Sequence, residues 1–364
     1  MLLFALALTA WPGSAGVPDS IPPLVPVVRD IQVGPDEVLR TTSMGAGEPL
    51  VLIPGIFGAA YGYRMLTGPL ARLGYRTIVV EPLGYGWSSH PKDADYSFGA
   101  QTGRVSRALD SLGVSGALIV AQSSGAAIAF RLAVQRPDLV RGLLSIDGGP
   151  AESAATPGMK KAFKFGGGLV KFALDESKLR HDVRQEIVRN SGDTTWITDA
   201  VVRGYTAGQT ADLGGSIDAF QRMSKAKEPT SLADQLHRCT MPVHLLLGTV
   251  RHPSEVSEEQ REMLGATLRN FRVDSVKGSG QYIQEERPGA VLEAVAQLDA
   301  AASRATGSAA PAAAAPAAAA PAAGPPAAGP PAAGPPAAGP PAAGPPAAGP
   351  PDRASADTAS TASR

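Results

Sequence analysis

The sequence predicts an α/β protein: a mostly parallel central sheet with helices on both faces and a helical cap inserted near the middle of the chain. Three observations carry that reading. Strand-length apolar runs recur without polar alternation, at Leu50 to Pro54, Thr77 to Glu81, Ala117 to Ala121 and Gly142 to Asp147, as expected of strands covered on both faces. Helical patterns separate them. From about Ala151 to His237 the strand signal gives way to polar, Gly-interrupted helical stretches, and then it resumes.

Each element has its own local cause. Arg29 to Val33 and Glu37 to Thr42, joined by Gly34-Pro35-Asp36, read as a β-hairpin. The helical patterns are Pro69 to Leu73 ended by Gly74, Gln101 to Leu112 ended by Gly113, and Ala126 to Gln135 stopped by Pro137. After the cap come the strand Val243 to Leu247, a helix over Ser257 to Leu268, the strand Phe271 to Val276 and a closing helix from Gly289 to Leu298.

The 364 residues balance 33 Lys and Arg against 33 Asp and Glu, so no positive field gathers phosphates and nucleic acid is not expected as a partner. A single cysteine, Cys239, excludes an internal disulfide and Cys-type structural zinc. No internal apolar run is long enough for a stable membrane span.

The two ends differ from the rest. Met1 to Leu8 is apolar and is followed by Pro12-Gly13-Ser14-Ala15-Gly16, an export-signal pattern without a basic opening. An internal hydrophobic strand or a misplaced start is the competing reading. Gly324 to Pro351 repeats Gly-Pro-Pro-Ala-Ala with a period of five, whereas collagen requires three. Such a segment lacks apolar side chains to bury and is expected to be extended and disordered, either as an envelope-crossing stalk or as compositional drift. The expected organisation is an export signal over residues 1–16, a folded domain over 17–300 with its cap at about 151–237, and an Ala/Pro/Gly-rich tail over 301–364, with the protein exported to periplasm, envelope or medium.

Ala121-Gln122-Ser123-Ser124-Gly125 lies between an apolar strand and a helix, the setting of a nucleophile elbow. The serine there sits on a sharp turn, and small residues two before and two after let strand and helix approach. Leu50 to Gly58, the Gly74-Tyr75-Arg76-Thr77 stretch, Glu81 to Ser88 and Arg136-Pro137-Asp138-Leu139-Val140 flank it in order. Together these residues resemble the α/β-hydrolase superfamily over roughly Arg29 to Leu298.

That resemblance implies a site with Ser123 as nucleophile, the backbone N–H groups of Ile56 and Ser124 as oxyanion donors, a histidine base and an orienting carboxylate. The chain departs from the pattern at the last two. The base position, in Gly278-Ser279-Gly280-Gln281-Tyr282, is Gln281, and the acid position, in Gly248-Thr249-Val250-Arg251, is Arg251. An amide side chain has no basic lone pair with which to take the serine proton.

Of the five histidines, His181, His237 and His244 are expected in surface or structural roles. His252, after the strand whose loop normally carries the acid, and His90, after the Gly-rich turn, are the candidate substitute bases. Asp147, at the end of the strand after the elbow strand, is a further possible carboxylate, because some members of the superfamily that the chain resembles place their acid on that loop; a solvated or capping role is the reading expected first. No metal-ligand spacing and no dinucleotide loop stands in a convincing context, so neither metal nor cofactor is expected. The functional reading is a non-catalytic member binding a small apolar or acyl ligand; the alternative is an exported esterase using Ser123 with a displaced base such as His252. The Lys160, Lys161 and Lys164 cluster reads as a solvated helix face, and oligomeric state leaves no signal.

Overall fold

The computed structural model of the protein describes residues 24–153 and 175–307. The apolar opening read above as an export signal, the Lys160, Lys161 and Lys164 cluster and the repeats of the tail lie outside the described residues.

Eight strands form one sheet in the order β1-β2-β4-β3-β5-β6-β7-β8. They are β1 Val27–Gly34, β2 Glu37–Met44, β3 Glu48–Ile53, β4 Tyr75–Val80, β5 Ala117–Gln122, β6 Val140–Ile146, β7 Val243–Gly248 and β8 Phe271–Val276. β1 and β2 form an antiparallel hairpin, and β2 also meets β4 antiparallel. All other pairings are parallel.

Side chains alternate across these strands, so consecutive residues feed opposite layers. Val51, Ile53, Ile119 and Ala121 pack with α2 (Phe98–Ser111) and α3 (Ser124–Gln135) on one face. Leu50, Leu52, Leu118 and Val120 pack with α1 (Arg64–Arg72) and the closing helix on the other. All eight of these strand side chains are fully buried, each contributing roughly 1.5–3 kcal/mol when large. This two-sided burial is why the runs show no polar alternation.

The helical segment between β6 and β7 contributes α4 (Glu176–Arg189), α5 (Asp199–Ala211) and α6 (Leu213–Lys225). Asp175, Thr198 and Asp212 cap their N-termini with side-chain acceptors. Leu179, Val183, Ile187, Val202 and Tyr205 gather into a cluster with Tyr282, which couples the cap to the loop after β8.

Past β7 come α7 (Glu258–Thr267), whose Ser257 and Gln260 form a capping box, and then a four-residue helix α8 (Ile283–Glu286) and α9 (Pro288–Thr306). The closing helix was expected to stop at Leu298 and the tail to begin at residue 301. It continues instead to Thr306, because Val291, Val295, Leu298 and Ala302 keep one face on the sheet, and Gly307 ends it at φ 68°. Likewise α1 begins at Arg64, five residues before the expected start at Pro69, because the helix carries that proline in its interior.

Candidate active site

Strand order reverses between β3 and β5, so the loops leaving the C-terminal ends of these two strands run apart and open a crevice. Ser123 stands at that point, between the last residue of β5 and the first of α3. Its backbone has φ 51° and ψ −124°, a conformation that costs a non-glycine residue of order 1–3 kcal/mol. The packing around it enforces the turn. A Cβ on Gly125 would lie 2.4 Å from the Ile53 carbonyl oxygen, and one on Gly148 would lie 2.4 Å from that of Ser123. Ala121 is accommodated as an ordinary strand residue, paired with Ile53 and Ser145.

The pairing of Ile53 with Ala121 sets the loop that follows β3, expected to hold the oxyanion donor Ile56, beside the elbow. Gly55 is so close that a Cβ there would meet Ser123 Cβ at 3.2 Å. The Ile56 N–H donates to Ser124 Oγ at 3.1 Å, and Ser124 Oγ lies 3.4 Å from the hydroxyl of buried Tyr85. Burial pushes the Tyr85 phenol up to about 12, so it stays a neutral hydroxyl. Ser124 is the first residue of α3, so its N–H is one of the four that a helix start leaves without a partner in its own helix.

Gln281 reaches the nucleophile position directly: its Nε2 donates to Ser123 Oγ at 2.9 Å. The loop that presents it is held from several sides. The Gln281 N–H donates to the Asn190 carbonyl at 2.7 Å. The Glu286 carboxylate accepts from Gly280 at 3.1 Å and, from the cap loop, Gly192 at 3.0 Å and Asp193 at 2.7 Å. Gly280 and Gly192 allow that approach, since a Cβ on Gly280 would sit 2.3 Å from the Asn190 carbonyl oxygen.

The two candidate bases bond other side chains. His252 Nε2 bonds Asp147 Oδ2 at 2.6 Å, with both side chains essentially buried at 2% and 1% exposed. The expected solvated or capping role of Asp147 is therefore corrected. The parallel pairing of β6 with β5 and β7 carries it into the interior, where its N–H donates to the Leu246 carbonyl and its φ is 45°. Burial pushes the Asp147 carboxyl up, opposed by the hydrogen bond from His252. His252 Nδ1 is buried without a hydrogen-bond partner.

The polar contacts of His90 are with the cap. Its Nε2 lies 3.2 Å from Ser216 Oγ, and its Nδ1 lies 3.3 Å from Asp212, so it joins the Gly-rich turn to the cap at the start of α6. Arg251 points to solvent, its side chain 93% exposed. His181 and His237 are exposed, while His244 is buried and bonds Asp274 at 2.9 Å across the β7–β8 pair.

One constellation carried no signal in the sequence. Glu285 Oε1 accepts from Arg64 at 2.5 Å and from the Tyr205 hydroxyl at 2.7 Å, beneath a ring cluster of Tyr61, Tyr205, Trp196 and Tyr282. Its two partners come from distant parts of the chain, and the neighbouring Glu286 and Pro288 gave no hint of them. Among the described residues no group of three or more His, Cys, Asp or Glu side chains is placed to hold a metal ion. No helix among them is long and apolar enough to cross a membrane.

Comparison with known proteins agrees with this architecture. A family model described as alpha/beta hydrolase fold matches residues 48–179. An epoxide hydrolase of Caballeronia sordidicola is 34% identical over 109 residues, which are 30% of this chain and 33% of that enzyme. An sn-1-specific diacylglycerol lipase of Mus musculus is 24% identical over 266 residues, 68% of this chain and 79% of the lipase. Among solved structures, the epoxide hydrolase CorEH without ligand superposes with a TM-score of 0.63 at 17% identity, covering 76% of this chain and 99% of that one. The chain has the α/β-hydrolase fold, and over residues 48–179 its sequence matches the model of that family. It spans only about a third of the length of several curated relatives that it matches, the Caballeronia enzyme among them.

Proposed function

We propose that this protein is a ligand-binding α/β-hydrolase-fold protein that holds a small apolar or acyl ligand at Ser123 without turning it over. The observation that carries the reading is the 2.9 Å hydrogen bond in which Gln281 donates to Ser123 Oγ. A serine hydroxyl is a weak nucleophile unless a neighbour takes its proton, and this neighbour gives one instead. Loss of the base in serine hydrolases costs roughly a million-fold in turnover.

The test is covalent labelling with a fluorophosphonate probe, together with turnover of a panel of short- and medium-chain esters. Absence of both supports the reading. Stoichiometric labelling at Ser123, lost in Ser123→Ala, refutes it.

A second reading is favoured by the Asp147–His252 pair, a carboxylate and an imidazole already joined beside the elbow strand, with one ring nitrogen free of partners. Reorientation of that ring toward Ser123 gives an esterase with a displaced base. Labelling abolished by His252→Ala as well as by Ser123→Ala selects this alternative. We also propose that the protein is exported, on the apolar opening of its sequence; N-terminal sequencing of protein recovered from envelope and medium tests that destination.

A further inference from the structure

The cap leaves the sheet through a neck at residues 151–153, after β6, and returns through a second at residues 226–231, after α6. Both necks meet one side chain. Arg131 lies about two turns along α3 from the elbow and is buried, its side chain 4% exposed. Its Nη1 donates to the Ala151 carbonyl at 2.9 Å and its Nη2 to Glu152 Oε2 at 2.6 Å, which holds the first neck. Its Nε lies 3.4 Å from Oε2 of Glu228 in the second neck. Glu228 in turn accepts from the N–H groups of Phe98 and Gly99, at the start of α2, at 2.6 and 3.0 Å. Glu152 Oε1 ties the two necks together by accepting from the Leu232 N–H at 2.6 Å.

Apolar packing does little for the second neck. None of residues 224–231 is buried as a whole, although the Glu228 side chain is only 6% exposed. A cavity of about 250 Å³, bounded by Val134 of α3 and by Pro229 and Leu232, lies against it. From this arrangement we infer that Arg131 is the residue that seats the cap, and that through the cap it positions Gln281. One guanidinium fixes both necks to the helix that begins at the elbow, and its planar fork serves several directions at once, which a lysine ammonium on a single stem does not. The cap then holds the loop after β8: the Asn190 carbonyl accepts from the Gln281 N–H at 2.7 Å, and the N–H groups of Gly192 and Asp193 donate to Glu286 at 3.0 and 2.7 Å. Arg131 does this whether or not Ser123 turns a ligand over.

The experiment is amide hydrogen exchange of the intact protein at pH 7. The triple change Arg131→Met, Glu152→Gln and Glu228→Gln removes the clasp without leaving a buried charge unpaired. It is expected to speed exchange of the Gln281, Gly192 and Asp193 amides, and of those in α4 to α6, by at least about tenfold, while the amides of Leu52 and Val120 in the sheet keep their rates. Glu152→Ala removes a carboxylate that is 44% exposed, frees the first neck from both Arg131 and Leu232, and keeps the question open to test if the triple variant does not fold. It is expected to speed the same cap amides about three- to tenfold. Wild-type rates at the cap amides in either folded variant overturn the assignment. Equal acceleration of cap and sheet overturns it as well, because Arg131 then supports the whole domain and not the seat of the cap.

Discussion

His252 and Asp147 meet at 2.6 Å in the interior, although 105 positions separate them in the chain. Removing one member of such a buried pair leaves the other without compensation, which costs about 3–5 kcal/mol. Asp147→Ala is therefore expected to lower the stability measured by urea unfolding by that amount, and the double change with His252→Ala to cost less than the sum of the two single changes. A loss near zero in Asp147→Ala means that the pair does not brace the β6 and β7 loops.

The strained backbone of Ser123 predicts an order among its own variants. Both Ser123→Ala and Ser123→Gly lose the hydrogen bond from Gln281, but only glycine adopts φ 51° and ψ −124° without steric cost. Ser123→Gly is expected to unfold at higher urea than Ser123→Ala, by about 1 kcal/mol. The reverse order argues that the turn relaxes when the hydroxyl is removed.

Two glycine-to-alanine changes are expected to have opposite signs. At Gly125 the new methyl meets the backbone oxygens of Ile53 and Pro54 at 2.4 and 2.7 Å, neither of which can move without shifting the loop that follows β3. Overpacking of this kind costs roughly 1–3 kcal/mol. At Gly289, in the first turn of α9, a methyl meets nothing within 4 Å. Gly289→Ala is expected to stabilise by about 0.4–1 kcal/mol, through the smaller entropy of the unfolded chain. Thermal melts of the two variants read both directions.

The hairpin is tied to α2 by Glu37, whose carboxylate bonds the buried Arg104 guanidinium and is held below the usual glutamate range by it. Because the folded value is depressed, the unfolded chain binds the proton more readily. The stabilisation is complete above about pH 4.3 and is lost as pH falls through the folded value. The gap in urea midpoint between wild type and Glu37→Gln is expected to correspond to about 1–3 kcal/mol at pH 7 and to narrow at pH 3.5. Buried Glu81 and Asp147, pushed upward by desolvation, act with the opposite sign and lose stabilisation as pH rises.

Much of the frame is written locally. The runs at Leu50, Thr77, Ala117 and Gly142 announce a doubly covered sheet because each residue of a buried parallel strand has to be apolar. Ser123 is legible because the elbow needs small neighbours at fixed offsets. Contacts that depend on what the sheet brings together had no local signature. Asp147 precedes two glycines and reads as a turn residue, and only the register of β5, β6 and β7 turns it inward to His252. His90 lies on a loop at the correct edge of the sheet, yet the cap claims it through Ser216 and Asp212. The bond from Gln281 to Ser123 was half legible: family spacing pointed to position 281, while its geometry depends on Glu286 and Asn190 clamping that loop.

That clamp makes one gain of function predictable. The loop around position 281 is fixed by backbone and Glu286 contacts that do not involve the Gln281 side chain, so Gln281→His should leave it in place. The imidazole then stands where the amide now reaches Ser123 Oγ at 2.9 Å, and it can accept the proton that glutamine cannot. A positioned general base contributes about 10²–10⁴-fold. Ester turnover by Gln281→His is therefore expected to rise by that order over wild type, measured with p-nitrophenyl butyrate, and fluorophosphonate labelling of Ser123 should appear with it. Adding Arg251→Asp is expected to bring less than about a further tenfold, because position 251 faces solvent, 93% exposed, and a carboxylate there has to turn inward before it can orient the ring. If Gln281→His folds and stays inert, the elbow and its oxyanion donors are not set for attack, and the missing base is not what silences the site.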